Sequence, residues 1–125
     1  MLMNIMTIAA DIKENIMAIV TIHSFPREHF GSIAMYSVSA FQDEFIHLVS
    51  SLLPSYIKGN PVAYFETGEK AAEEAFDLTN NPSRYDEKTT LYGDSRSVSV
   101  GDVVEVQDHD TNQRFLCMNM GWVKI

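Results

Sequence analysis

Apolar residues recur along the chain with two spacings, and each spacing predicts one kind of element. In residues 5–16 an apolar position every three or four residues predicts an amphipathic helix, although the β-branched isoleucines would also suit a strand. The positions are Ile5, Ile8, Ala9, Ile12 and Ile16. Residues 17–25 are rich in β-branched side chains and stop before Pro26, which predicts a strand. A second short strand is expected at residues 32–38.

A longer helix is predicted over residues 40–53, where apolar side chains again follow helical spacing. Its apolar face consists of Phe41, Phe45, Leu48, Val49 and Leu52. Ser39 is the expected N-cap, and Gln42 completes a capping box three residues later. Pro54 ends the helix.

The middle of the chain predicts a short strand at residues 62–65 and, after a capping Thr67, a helix over residues 69–78. Acidic residues in the first turns of this helix complement the positive end of its dipole. The expected buried face is Ala72, Ala75, Phe76 and Thr79. Pro82 cannot continue the helix, and residues 83–95 form a polar excursion with no predicted element.

The C-terminal pattern is β-rich, with strands expected at residues 103–106 and on both sides of Gly121. The 125 residues, 46% of them apolar, suit one domain, residues 1–125, and no linker or repeat divides them. Mixed elements followed by a β-rich tail predict an α+β fold. We expect a small antiparallel sheet with two to three helices packed on it.

The formal charge of −8 at pH 7 is unevenly distributed. Residues 61–125 hold twelve acidic and six basic residues, whereas residues 1–60 hold five and three. Direct binding to nucleic acid needs clustered Lys and Arg, so no direct nucleic-acid contact is expected. If nucleic acid matters to its function, the chain would imitate nucleic acid or displace it from a basic protein.

Part of this negative charge falls at helical spacing and forms an acidic stripe. Four carboxylates separated by three or four residues lie about 5 to 6 Å from their neighbours, comparable to phosphates along a nucleic-acid strand. Two more acids follow at the helix exit. The stripe, which is the candidate partner-binding site, comprises Glu66, Glu69, Glu73, Asp77, Asp86 and Glu87. Ordinary solubility is the alternative explanation for such a surface.

The segment RSVSVGDVVEV, residues 96–106, contains two serines and an acid but no histidine. Acyl transfer needs a base within reach of the serine, so a hydrolase using Ser97 or Ser99 is only the third hypothesis. The structural interpretation has Gly101 in a backbone conformation that other residues avoid and Asp102 accepting backbone N–H bonds. The structural motif comprises Arg96, Ser97, Ser99, Gly101, Asp102, Gly121 and Trp122.

No cofactor, metal or catalytic residue is predicted. The four histidines lack metal-binding spacing, and residues 108–119 begin like a calcium loop without its glycine and final glutamate. Cys117, the only cysteine, is flanked by apolar residues and is expected in the core. The N-terminus lacks the basic region of a signal peptide, and no apolar run is long enough to span a bilayer. A cytoplasmic protein is expected.

Three segments, EEAFDLTNNPSR, YGDSRSVSVGDVVEV and FLCMNMGWVKI, together resemble a family of small phage, plasmid and conjugative-element proteins related to the YodL-like domain. The matching positions are Glu74, Ala75, Phe76, Leu78, Thr79, Asn80, Arg96, Ser97, Ser99, Val100, Gly101, Asp102, Val103, Val104, Gly121 and Trp122. The resemblance covers residues 61–125 and leaves residues 1–60 as a variable N-terminal half. It implies a phage or mobile element in a bacterial host, and it carries over no catalytic residue.

These observations lead to two functional hypotheses. The first is a non-enzymatic accessory protein that inhibits a nucleic-acid-handling host defence complex, of anti-CRISPR or anti-restriction type, by nucleic-acid mimicry. The alternative is a self-associating interaction domain with a housekeeping role in the mobile element. Its homodimer would form through apolar surface around Phe25, Phe30 and Trp122.

Overall fold

The computed structural model describes residues 17–36, 39–109 and 111–125, with six strands and four α-helices in those ranges. The strands are β1 (Ala18–Ser24), β2 (Ile57–Lys58), β3 (Val62–Tyr64), β4 (Val103–Gln107), β5 (Asn112–Cys117) and β6 (Trp122–Lys124). The helices are α1 (Gly31–Tyr36), α2 (Gln42–Leu52), α3 (Gly68–Asn80) and α4 (Tyr85–Tyr92). None of these helices is long and apolar enough to cross a membrane. The helix predicted over residues 5–16 lies outside the described residues.

The six strands form one antiparallel sheet in the order β2-β1-β4-β5-β6. Strand β3 pairs with the first residues of β1, and β2 pairs with its last two residues. The other edge of β1 pairs with β4 from Ile19 opposite Gln107 to His23 opposite Val103. The α+β prediction, with helices packed on a small antiparallel sheet, is confirmed.

Two hydrophobic clusters cover opposite faces of the sheet, because successive side chains of a strand point to opposite sides. On β4, Val103 belongs to the cluster under α2, whereas Val104 and Val106 belong to the cluster under α3. All three valines are fully buried, and each such burial contributes about 1.5 to 3 kcal/mol. Burial on both faces explains the run of valines in the sequence.

Helix α1 replaces the strand that the sequence predicts at residues 32–38, and that prediction is wrong for residues 32–36. A 3-10 turn at Arg27–His29 leads the chain into a helical path, and the amide of Ile33 donates to the carbonyl of Phe30 at 3.1 Å. Ile33 then packs against the cluster under α2. Tertiary packing therefore outweighs the weak strand preference of this segment.

Helix α4 occupies the predicted polar excursion, so the expectation of no element there is wrong. The side chain of Asn81 accepts a hydrogen bond from the amide of Ser83 at 3.0 Å and caps a 3-10 turn at Pro82–Arg84. This turn restarts the chain in helical geometry. Only Tyr92 of the helix is buried, so α4 lacks the apolar periodicity by which a helix is recognised in a sequence.

Helix α2 is confirmed with a different start. It begins at Gln42 after a 3-10 turn at Ser39–Phe41, and its N-cap position is Phe41 without a side-chain cap, so the expected capping box at Ser39 is wrong. Phe45 and Val49 are its buried residues.

Helix α3 buries a face that differs from the predicted one at three positions. Its buried residues are Ala71, Ala72, Ala75, Leu78 and Thr79. Phe76, which was expected on this face, is 41% exposed and packs edge-on against Trp122. The alanines let the helix backbone lie close to the sheet, and Leu78 takes the place assigned to Phe76.

We expect Leu78→Ala to lower the free energy of unfolding by about 2 to 5 kcal/mol, because it leaves a cavity in the core. Phe76→Ala on the same helix removes a half-exposed ring, so we expect it to have the smaller effect. Urea denaturation followed by circular dichroism measures both. A greater loss for Phe76→Ala would contradict this packing of α3.

Candidate functional site

The acidic stripe lies on the outer surfaces of α3 and α4 and on the turn before α3. Helix α3 begins at Gly68, so Glu66 lies before the helix and its position in the stripe is not set by helical spacing. Glu69, Glu73 and Asp77 lie on α3, and Asp86 and Glu87 lie in the first turn of α4. All six side chains are exposed.

Arg84 forms ion pairs with two of the six carboxylates of the acidic stripe. Its guanidinium donates to Asp77 Oδ2 at 2.8 Å and to the two carboxylate oxygens of Glu87 at 3.0 and 2.8 Å. It also donates to Glu74, an acid that the sequence interpretation placed outside the stripe. The hydrogen bonds from Arg84 lower the pKa of Glu87. One arginine therefore ties the end of α3 to the start of α4.

The other four members of the stripe form no ion pair within the described residues. They are Glu66, Glu69, Glu73 and Asp86. Their charges stay available to a partner, because no described cation neutralises them directly. Lys70 lies beside Glu66 and Glu73 in a shallow depression of that surface.

A groove of about 410 Å³ opens between β3, α3 and α4, at one end of the stripe. Ala63, Phe65, Leu78 and Leu91 supply its apolar lining. Its charged lining is Glu66, Glu74, Arg84 and Glu87. An apolar floor with carboxylates at the rim is suited to a long basic side chain, whose methylenes would contact the floor while its charged head meets the acids.

Two tyrosines support the groove from below. Tyr64, which lines it, and Tyr92 of α4 are buried and share a hydrogen bond between their hydroxyls. Burial raises the pKa of Tyr64 to about 12 and raises the pKa of Tyr92 further. Both phenols are therefore neutral at physiological pH, and the negative charge of the groove comes from its carboxylates.

The segment RSVSVGDVVEV folds as a junction centred on the carboxylate of Asp102, which is fully buried. Oδ1 accepts hydrogen bonds from the amide of Phe25 at 2.8 Å and from Arg96 Nη2 at 2.9 Å. Oδ2 accepts from the amide of Ser99 at 2.9 Å. Burial raises the pKa of Asp102, while the two amides and the Arg96 charge act in the opposite direction. The carboxylate thus joins the end of β1 to the turn before β4.

The backbone around Asp102 is equally constrained. Gly101 has a φ of 94°, and a Cβ there would lie 3.2 Å from side-chain atoms of Phe25 and Ile33. The Gly101 amide donates to the Cys117 carbonyl, the Cys117 amide donates to the Asp102 carbonyl, and both distances are 2.9 Å. The Tyr56 hydroxyl donates to the Gly101 carbonyl at 2.7 Å. Gly101 and Asp102 therefore have the backbone roles that the sequence predicted.

Both serines of the motif are held by structural contacts. Ser97 Oγ donates to the Thr79 carbonyl at 2.5 Å, and Ser99 Oγ accepts from Arg96 Nη1 at 2.7 Å. Val98 is tied to the same helix, because its amide donates to Thr79 Oγ1 at 3.1 Å. Neither serine hydroxyl has a histidine among these partners, and the contacts fix the loop against α3.

Gly121 and Trp122 form the turn into the last strand. Gly121 has a φ of 81°, and its carbonyl accepts from the amide of Met118 at 2.9 Å. Trp122 then pairs with Cys117 across β5 and β6 and rests on Phe76. This contact covers part of the α3 surface beside the acidic stripe.

The three aromatic residues named for a homodimer do not form one exposed surface. Phe25 is 1% exposed and belongs to the core. Phe30 stacks on it and carries the Arg96 guanidinium 5.1 Å above its ring. Trp122 is half-buried on Phe76. The most exposed aromatic side chains beside the stripe are instead Phe65 and Tyr85, which the sequence interpretation missed.

The remaining titratable candidates have structural surroundings. Among the described residues, no group of three or more His, Cys, Asp and Glu is arranged to hold a metal ion. His23 Nε2 contacts Glu105 Oε1 at 2.9 Å between β1 and β4. Cys117 is buried, as predicted, and burial followed by the charge of Asp102 raises the pKa of its thiol to about 12.

Comparison with known proteins identifies no relative: no family model, no curated protein and no solved structure matches the chain. The resemblance to the YodL-like family rests on the three segments quoted above and stays a prediction. The functional proposal therefore depends on the geometry of the acidic surface.

We expect Asp102→Ala to lower the free energy of unfolding by about 3 to 5 kcal/mol, because Arg96 and two buried amides lose their acceptor. Asp94→Ala in the exposed loop before the motif is the matched control, with an expected change within about 0.5 kcal/mol. Urea denaturation measures both variants. Equal stability of the two variants would contradict the junction.

Glu105 is expected to make stability depend on pH at the acidic end. Burial alone would raise its pKa, but hydrogen bonds from His23 and Asn112 and the charges of His23 and Arg114 lower it overall. A lowered folded-state pKa means that the ionised group stabilises the fold above its ordinary pKa of about 4.3. That contribution is lost as the pH falls through the folded-state value.

This effect is measured by comparing the free energy of unfolding of the unmodified chain with that of the Glu105→Gln variant. We expect the stability advantage of the chain over this variant to shrink as the pH falls below about 4.3. Urea denaturation at several pH values gives the difference. An advantage that grows as the pH falls from about 4.3 to about 3 would show that Glu105 is not stabilised in its ionised form.

Proposed function

We propose that the protein is a non-enzymatic binding protein that engages a basic host protein through the acidic stripe and the groove beside it. The observation that carries the proposal is the pairing of carboxylates with exposed aromatic rings at one surface. Phe65 is 73% exposed and Tyr85 is 65% exposed, and each adjoins acids of the stripe. Aromatic anchors surrounded by charged residues are typical of protein interfaces.

Electrostatics supports a basic partner. Residues 66–88 contain seven acidic and three basic residues, and Arg84 is occupied with three of the acids. Four carboxylates of the stripe stay unpaired among the described residues, so their field extends into solvent. Such a field accelerates encounters with a positive surface, and salt weakens it.

The partner class follows from the spacing of these charges. Proteins that handle nucleic acid carry Lys and Arg placed to meet phosphates. Glu69 and Glu73 are separated by one helical turn, so their Cβ atoms lie about 5 to 6 Å apart and their side chains occupy neighbouring positions. We infer that the stripe competes for such a basic channel in a defence complex, of CRISPR or restriction type. The resemblance to mobile-element proteins supports this setting, in the cytoplasm of a bacterial host.

A double charge reversal tests the proposal. Glu69→Lys with Glu73→Lys reverses two unpaired carboxylates of the stripe, and Asp43→Lys with Glu44→Lys reverses two exposed acids of α2. The two variants have the same net charge. We expect the first to slow association with a purified CRISPR effector ribonucleoprotein or restriction complex by about tenfold or more, and the second to have a much smaller effect.

Binding is measured by surface plasmon resonance at about 10 mM and 150 mM salt, where the Debye length falls from about 30 to 8 Å. Phe65→Ala, in the same assay, is expected to accelerate dissociation because it removes an aromatic anchor. If no complex of either kind binds at low salt, or if the two double variants lose affinity equally, the proposed function is wrong.

A further inference from the structure

A second pocket lies beyond the C-terminal end of α4, away from the acidic groove. The end of β1, strand β2 and the loop after α4 enclose a volume of about 180 Å³. Three of its ten lining residues are basic and none is acidic, in a chain with nine basic and seventeen acidic residues. The basic residues, Arg27, Lys58 and Arg96, define what we call the basic pocket.

Arg96 is held in this pocket by the junction. Asp102 and Ser99 accept hydrogen bonds from its two terminal nitrogens, and the Phe25 carbonyl accepts a third at 3.3 Å. A guanidinium has five N–H donors, so these three bonds leave donor capacity on a side chain that is still 27% exposed. Because Asp102 balances the Arg96 charge, the net positive charge of the pocket comes from Arg27 and Lys58.

Lys58 and Arg27 are exposed at the rim and form no ion pair within the described residues. The chain next to Lys58 is fixed by Gly59, whose amide donates to the Ile22 carbonyl at 2.8 Å. A Cβ at Gly59 would lie 3.1 Å from that carbonyl, so a larger residue would fit only if the chain moved a few tenths of an ångström away from β1. Ser24 and Ser95 add hydroxyl groups to the lining.

We propose that the basic pocket binds a phosphate dianion, either free or as the phosphoryl end of a phosphomonoester. A phosphate dianion offers several acceptor oxygens, which match one oriented guanidinium, two mobile cationic side chains and two hydroxyls. Arginine forks and lysine point charges are both common phosphate ligands. The group comes from free phosphate or from the phosphoryl end of a mononucleotide, and the two sources share this chemistry.

The test is a titration of the 15N-labelled full chain with inorganic phosphate, observed by NMR at constant ionic strength. We expect saturable shifts at the amides of Lys58, Gly59, Ser95 and Arg96, with sodium chloride as the control salt. Arg27→Gln and Lys58→Gln should each weaken phosphate binding by about tenfold. Lys70→Gln, which removes a cation beside the acidic stripe, should leave it unchanged. Neither rim variant removes a contact of the junction.

A parallel titration with adenosine monophosphate distinguishes the sources. Tighter binding than phosphate makes a nucleotide the ligand, and equal binding limits recognition to the phosphoryl group. Both results support the basic pocket. Absence of saturable shifts with either probe, or binding that survives both glutamine substitutions, would overturn it. The result is independent of the proposed protein partner, because the acidic stripe contributes no residue to this pocket.

Discussion

The buried carboxylate of Asp102 is the constraint on which the rest of the structure depends. It holds the amide at the end of β1, the turn before β4 and the Arg96 guanidinium, while its own backbone bonds to β5. A buried charge is tolerated only when its hydrogen-bonding capacity is met, and here two amides and an arginine meet it. The same contacts orient Arg96, so the junction that closes the fold also sets one wall of the basic pocket.

Much of the fold could be predicted from the sequence because its main elements have strong local patterns. The β-branched run of β1, the helical stripes of α2 and α3 and the valines of β4 identified their elements. Helix α4 could not be found, because it has a single buried residue and depends on a capped turn for its start. Helix α1 depends on Ile33 packing against distant residues. Phe76 was misassigned because apolar residues on one helical face can be spaced by either three or four positions. The spacing alone therefore does not decide between Phe76 and Leu78, and packing against the sheet buries Leu78.

The sequence predicted which acidic residues form the candidate site, but it did not predict which of them form ion pairs. Spacing along one helix identified the carboxylates of α3, but Arg84 reaches them from the turn that follows, ten residues beyond Glu74. A pattern along one element contains no information about a cation supplied by the next. Phe65 and Tyr85 were missed for a related reason. A single aromatic residue in a sequence is usually predicted to be buried, and only the packing of the folded chain shows that these two are exposed. The resulting surface carries acids that Arg84 holds and acids that form no ion pair among the described residues. Only the second group has charges that no described cation neutralises before a partner binds.

Strand β1 lies in the interior of the sheet, and its partner β4 follows it by about eighty residues of chain. Such long-range pairing gives a high contact order, which slows folding because loop closure precedes the contacts that reward it. During synthesis, β1 leaves the ribosome long before β4 exists, and the edge of β1 that pairs with β4 stays unpaired until then. The nascent chain is therefore exposed to aggregation or chaperone capture until Gln107 has emerged. Strands β1 and β2 from the first half of the chain and strands β4 to β6 from the second half therefore fold as one sheet. A destabilising substitution in either set of strands lowers the stability of the whole sheet.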